Sequence, residues 1–169
     1  YTSGNFYGGY VCHAMDTMRI CVGNVADLLD KEFGLLVDHK FNKGLGESLK
    51  INKKSTHHGF KAMQITLSSL TADVIMNTVP ASLHSRPTES FNQDKVSMGT
   101  TAALHFAKQL PDLTNMLSIA VLGMAQAVDL RGRENCSAFL QKNYDSVRPQ
   151  VEPLAFDRRM DLDIKVSTK

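Results

Sequence analysis

Tryptophan is absent from this 169-residue chain, which has only five prolines and three cysteines. Cysteines at positions 12, 21 and 136 do not make a disulfide framework. Cys12 and Cys21 fall on one predicted helix, where the rise per residue sets them roughly 13 Å apart, beyond disulfide reach. A reducing compartment, the cytoplasm, is the expected setting. So few prolines, none inside the strongest helical patterns, leave room for long helices. An excess of charge is missing too: 19 Lys and Arg face 17 Asp and Glu, so nothing electrostatic favours nucleic acid or an anionic membrane as main partner. The longest apolar run, Met116 to Val128, contains Ser118 and Gln126 and falls short of the ~20 residues that span a bilayer. No β-type alternation of any length and no internal repeat is found. The opening, Tyr1-Thr2-Ser3-Gly4-Asn5, lacks the basic and apolar regions of a signal peptide. Its glycine-rich start without an initiator Met suggests a fragment or a processed chain.

What the chain has in quantity is apolar spacing at the helical step. Tyr10 to about Val37 carries Val11, Met15, Met18, Val22, Val25, Leu29 and Phe33 at alternating intervals of four and three. Ala14, Cys21 and Leu28 widen that stripe, which predicts a helix touching more than one neighbour. Asp38 to Ser55 is glycine-, asparagine- and lysine-rich and reads as a loop. A second helix is predicted over Thr56 to Val79, with Thr56 as N-cap and Pro80 as stop. A third is predicted over Ser97 to Leu110, stopped by Pro111. A fourth runs from Asp112 or Thr114 to Leu130 and is apolar nearly all round. Asn135 to Arg148 is shorter and amphipathic, and 153–169 is a charged surface helix or tail. The fold class is therefore all-α: long, mostly antiparallel helices forming part of a bundle core, in a single helical domain over 1–169.

Metal chemistry finds no motif. His57 and His58 are adjacent and would diverge by about 100° on a helix, and neither Cys-x-x-Cys nor His-Glu-x-x-His occurs. The densest polar cluster is Glu89-Ser90-Phe91-Asn92-Gln93-Asp94, between segments that both favour burial. Two carboxylates and two amides in that position are costly unless partnered or used.

Several segments, in order, resemble the C-terminal part of the aromatic amino-acid ammonia-lyase family: histidine, phenylalanine and tyrosine ammonia-lyases and related aminomutases. Ser3-Gly4-Asn5-Phe6-Tyr7-Gly8 resembles the family's Gly-Asn-Phe-His/Gln-Gly turn. Gly59-Phe60-Lys61-Ala62-Met63-Gln64 resembles its Gly-Phe-Met-x-x-Gln helix start. Pro80-Ala81-Ser82 precedes the polar loop as in histidine lyases. Asn92-Gln93-Asp94-Lys95-Val96-Ser97-Met98-Gly99 is similar to Asn-Gln-Asp-Val-Asn-Ser-Leu-Gly of phenylalanine lyases and to Val-Ser-Met-Gly of histidine lyases. Ala125-Gln126-Ala127-Val128-Asp129-Leu130-Arg131 and Val151-Glu152-Pro153-Leu154 continue the series.

The resemblance implies a 4-methylidene-imidazol-5-one (MIO) electrophile, formed elsewhere from an Ala-Ser-Gly-type tripeptide. It implies elimination of ammonia from an aromatic amino acid, and a homotetramer whose active sites draw on several subunits. Glu89 would face the substrate amine, Gln93 would support the site and Phe6 would pack near the electrophile. Asn5, Asn92 and Asp94 would contact substrate. The flanks of Thr2-Ser3-Gly4 match the later turn, so the cyclising tripeptide is expected in a missing N-terminal lyase portion. Lys95 departs from the family, standing where an uncharged or imidazole residue is usual. An aminomutase is the nearest rival reading, and a non-catalytic helical scaffold subunit is a rival of another class.

Overall fold

A computed structural model describes residues 7–168. Five α-helices follow one another: α1 (Gly9–Val37), α2 (Lys61–Met76), α3 (Gly99–Arg131), α4 (Ala138–Val147) and α5 (Asp161–Ser167). No β-strand occurs among the described residues; a single antiparallel bridge pairs Thr88 with Gln93. The all-α expectation therefore holds. Three short 3-10 turns punctuate the loops, at Glu47–Leu49, Ala81–His84 and Arg133–Asn135. By internal contacts the chain divides into two compact units, one comprising the chain through Asp27 with Thr71–Leu113, the other Leu28–Leu70 with Thr114–Lys169.

In the first unit small side chains let elements approach closely: Cys12, Ala81 and Ala102 form a buried cluster, with Met15 and Met98 against it. Beside it lies an ion pair that hydropathy did not reveal. Asp16 and Arg19, one turn apart on α1, are both buried and joined at 2.9 Å. The Asp16 carboxylate also accepts the N–H groups of Ala81 (2.8 Å) and Ser82 (3.0 Å), capping a 3-10 turn whose own N-cap, Pro80, offers no side-chain bond. Burial alone would raise the Asp16 pKa, but those two N–H groups and Arg19 outweigh it, so it lies below the usual carboxylate range. Burial, and then the neighbouring Asp16, push the Cys12 thiol up. Arg19 donates through Nε (2.8 Å) and Nη2 to the carbonyl of Asn77, just past the end of α2. Two side chains of α1 thus fix the path from α2 into the 3-10 turn, from which the polar loop departs.

The second unit holds the larger core, including Phe33, Leu49, Phe60, Leu67, Met116, Ile119 and Leu122. The Phe33 and Phe60 rings meet at 6.4 Å between centroids. A Cβ on Gly123 would lie 2.5 Å from Cε2 of Phe33, so glycine at that position is what admits the ring. Gln126 is buried and fully used: its amide nitrogen donates to the carbonyls of Leu49 (3.1 Å) and Leu154 (3.3 Å), and its oxygen accepts the Leu154 N–H (3.0 Å).

Several sequence expectations are corrected. Pro111 does not stop a helix; α3 runs through it, 33 residues unbroken. A proline removes one donor and crowds one carbonyl, and apolar helical spacing on both sides carries the helix past that loss. Read as one helix, α3 is long and apolar enough to cross a bilayer by length and composition, unlike the run Met116 to Val128 taken alone; half of its most apolar window is buried within the chain. Helix α2 starts at Lys61 rather than Thr56 and ends at Met76, before Pro80 is reached. The entry to α2 is held from far along the chain: the Asp157 carboxylate accepts the N–H of His58 (2.8 Å) and Gly59 (3.0 Å). On α1, Val22 and Phe33 of the expected stripe are buried, while Val11, Met18 and Val25 are exposed. The buried line runs instead through Cys12, Asp16, Arg19, Val22 and Ala26.

Candidate active site

The loop between the 3-10 turn at Ala81–His84 and α3 is built as a tight, locally bonded turn. Thr88 and Gln93 exchange backbone hydrogen bonds of 2.9 and 3.3 Å, and the Asn92 N–H bonds the Glu89 carbonyl at 3.0 Å. To close it, Glu89, Ser90 and Phe91 all take left-handed backbone angles, with φ of 53°, 53° and 67°. Each such non-glycine residue costs about 1–2 kcal/mol relative to ordinary backbone. At the base of the loop the Ser85 hydroxyl donates to the Val96 carbonyl, and Met98, also left-handed at 57°, turns the chain into α3. The Asn92 side-chain amide donates to the Glu89 carboxylate at 3.3 Å.

This loop borders an open cleft of about 690 Å³, lined by Tyr7, Gly8 and the continuous run from Asn92 to Ser97. Tyr7 owes its place to glycine: a Cβ on Gly9 would sit 2.2 Å from the ring. Of the residues expected at a site, Asn92, Gln93 and Asp94 line the cleft together. Glu89 does not line it; it is held beside the cleft through Asn92. Asn5 and Phe6 lie outside the described residues. Tyr7, Lys95 and Ser97 are lining residues that sequence reasoning did not single out for a role. The Gly-Asn-Phe turn and the Val-Ser-Met-Gly run were the available signals.

One expectation fails within this chain. The polar cluster is not enclosed by apolar helices: Glu89, Asn92 and Asp94 are exposed and Gln93 is half-buried. The flanking elements bury Ala81 and Ala102 and send the loop outward, so no desolvation cost is incurred here. Among the described residues, the side chains of Gln93, Asp94 and Lys95 have no hydrogen-bond or ion-pair partner. They are polar groups with hydrogen-bonding capacity that no described residue uses. A somewhat larger hollow, about 740 Å³, is bordered by Lys31, His39 and Lys40 and by Lys61 and Gln64 of the Gly-Phe helix-start segment, but by none of the residues expected at the site.

The helical architecture with this loop is that of known lyases and aminomutases. The structure of a phenylalanine aminomutase from Pantoea agglomerans superposes with a TM-score of 0.95 at 29% identity, covering 99% of this chain and 33% of that one. Among characterised proteins, a tyrosine ammonia-lyase of Cereibacter sphaeroides is 34% identical over 95% of this chain and 31% of its own length. An MIO-dependent tyrosine 2,3-aminomutase of Streptomyces globisporus is 32% identical over 96% of this chain and 30% of its own. Residues 1–149 match the family described as aromatic amino acid lyase, and the chain belongs to that family. It spans about a third of the length of these relatives.

Proposed function

We propose that this chain is the loop-bearing, C-terminal part of an enzyme that eliminates ammonia from an aromatic amino acid: histidine, phenylalanine or tyrosine. The observation that carries the reading is the cleft wall, where two amides and a carboxylate, unfilled by partners of their own except at Asn92, sit on a loop matched within the family. In this reading the MIO electrophile comes from a missing segment or a partner chain, since Ala-Ser-Gly occurs nowhere in this sequence. The Gln93 amide and the Asp94 carboxylate fit a group presented from outside: both line the cleft, and among the described residues neither has a side-chain partner. That group, when present, supplies the electrophile that captures the substrate. Glu89, steadied by Asn92 beside the cleft, receives the substrate ammonium once a neighbouring subunit closes the cleft. Gln93 orients the substrate, and the family resemblance assigns further contacts to Phe6 and Asn5, which lie outside the described residues.

The same reading places the enzyme in the cytoplasm, consistent with three free cysteines, and in a homotetramer, consistent with the apolar face that α1 leaves uncovered. The likeness to aminomutases supports a second outcome of the same chemistry, return of the ammonia to the neighbouring carbon. Assaying for the β-amino acid against the free arylacrylate separates the two. A scaffold role predicts no turnover even with the remaining lyase portion supplied.

The deciding variant is Glu89→Gln in the complete enzyme. Turnover should fall about a hundredfold, the scale of a lost positioning contact, with the melting temperature unchanged because the residue is exposed. Unaltered turnover removes Glu89 from the chemistry.

A further inference from the structure

Among the described residues only two full charges line the cleft, those of Asp94 and Lys95, and neither is paired. Lys95 is exposed, and among the described residues it makes no side-chain hydrogen bond and is the single cation of that wall. An unpaired surface lysine adds little to stability. On a concave wall, where a bound ligand displaces water from one side, the same ammonium becomes a strong partner for an anion. The surrounding groups define the anion's kind. The amides of Asn92 and Gln93 and the hydroxyl of Ser97 offer neutral hydrogen bonds, Tyr7 offers an aromatic face, and the Asp94 carboxylate disfavours a multiply charged anion. That combination suits one carboxylate on a ring-bearing molecule.

We propose that Lys95 is a specificity-determining residue of this cleft, its ammonium pairing with a carboxylate of the aromatic ligand. The inference rests on the reading of the cleft as the lyase site. The carboxylate has two possible sources, the α-carboxylate common to amino acid and arylacrylate product, or an acidic substituent on the ring. Either leaves Lys95 as the group that reads it.

The test uses the complete protein carrying this chain, with Lys95→Met and Lys95→Arg, each checked for unchanged helical circular dichroism. Dissociation constants are measured by titration calorimetry for trans-cinnamate and its neutral counterpart trans-cinnamamide, and for 4-carboxyphenylalanine against phenylalanine. KM and kcat are measured beside them. Wild type should favour at least one carboxylate over its neutral partner, and Lys95→Met should weaken that carboxylate about tenfold while sparing the neutral one. Lys95→Arg should restore most of the preference. Loss of preference for cinnamate identifies the α-carboxylate as the source, and loss confined to 4-carboxyphenylalanine identifies the ring. If Lys95→Met keeps every carboxylate preference, or no preference exists in wild type, the proposal is overturned. Failure of the lyase reading looks different: no aromatic amino acid is turned over by wild type, whatever the binding data show.

Discussion

Asp16 and Arg19 show how much one buried side chain can organise. Asp16 gathers two backbone N–H groups and a guanidinium on a carboxylate that is almost wholly out of solvent. Removing it by Asp16→Ala strands the Arg19 charge and uncaps the 3-10 turn, and should cost about 3–5 kcal/mol in denaturant unfolding. The pH dependence has a definite sign. The folded pKa of Asp16 is depressed, so its stabilisation is fully present above the unfolded carboxylate value of about 3.9 and is lost as pH falls through the lower folded value. Asp157 is shifted the same way: burial opposes ionisation, but the N–H groups of His58 and Gly59 prevail. Acid unfolding followed by circular dichroism should therefore steepen below about pH 4 in wild type and be flatter in Asp16→Asn. Hydropathy hid this pair because a charged residue on an apolar face reads as an interruption until its partners are known. The loop residues were legible for the opposite reason: Asn92, Gln93 and Asp94 are neighbours in sequence, and adjacency alone carries them to one wall. That Glu89 stands beside the cleft rather than on its wall was not legible, because it sits in a run of three left-handed residues, a conformation that no local residue preference announces.

Helices as elements were legible where a long stripe dictated them and illegible where distant groups set their ends. The limits of α1 were read to within a residue, since its apolar spacing is continuous from Tyr10 to Val37. Its phase was read poorly. Val11, Met18 and Val25 are as apolar as Val22 and Phe33, and spacing cannot say which face meets the rest of its own chain. The start of α2 was missed because its anchoring carboxylate, Asp157, is 99 residues away from His58. Pro111 misled because a proline's local preference to end a helix was overridden by burial on both sides of it. Close approach at this scale can be tested at Gly123. Gly123→Ala introduces a Cβ against Phe33 and should destabilise by about 1–3 kcal/mol despite alanine's better helix propensity. Phe33→Leu in the same chain should recover part of that loss, a coupling visible in a double-mutant cycle of thermal melts.

For the molecule as a whole, the outstanding feature is apolar surface on α1 that no other described residue covers. Val11, Met18, Cys21, Val25, Leu28 and Leu35 recur along α1 at steps of three, four or seven, and all are exposed. In the tetrameric reading this face is covered by another subunit or by the rest of the lyase. Val25→Glu should then shift the complete enzyme toward smaller species in size-exclusion chromatography with light scattering, leaving helix content unchanged. An unchanged particle mass would detach this face from assembly. The sequence motifs made the family visible because they are short and ordered. Their joint geometry emerges only from pairings between distant parts of the chain.

Gln126 ties the Leu49 segment, 77 positions earlier, and the Leu154 segment, 28 positions later, to a single side chain. Such a clasp cannot be fastened early: both ends of the strap must arrive before it closes, and the search for closure lengthens with the span. Helical signal should therefore return well before protection of the Leu154 amide when the unfolded protein is diluted into buffer. The interval between the two is the time during which the chain has its helices but not yet its shape.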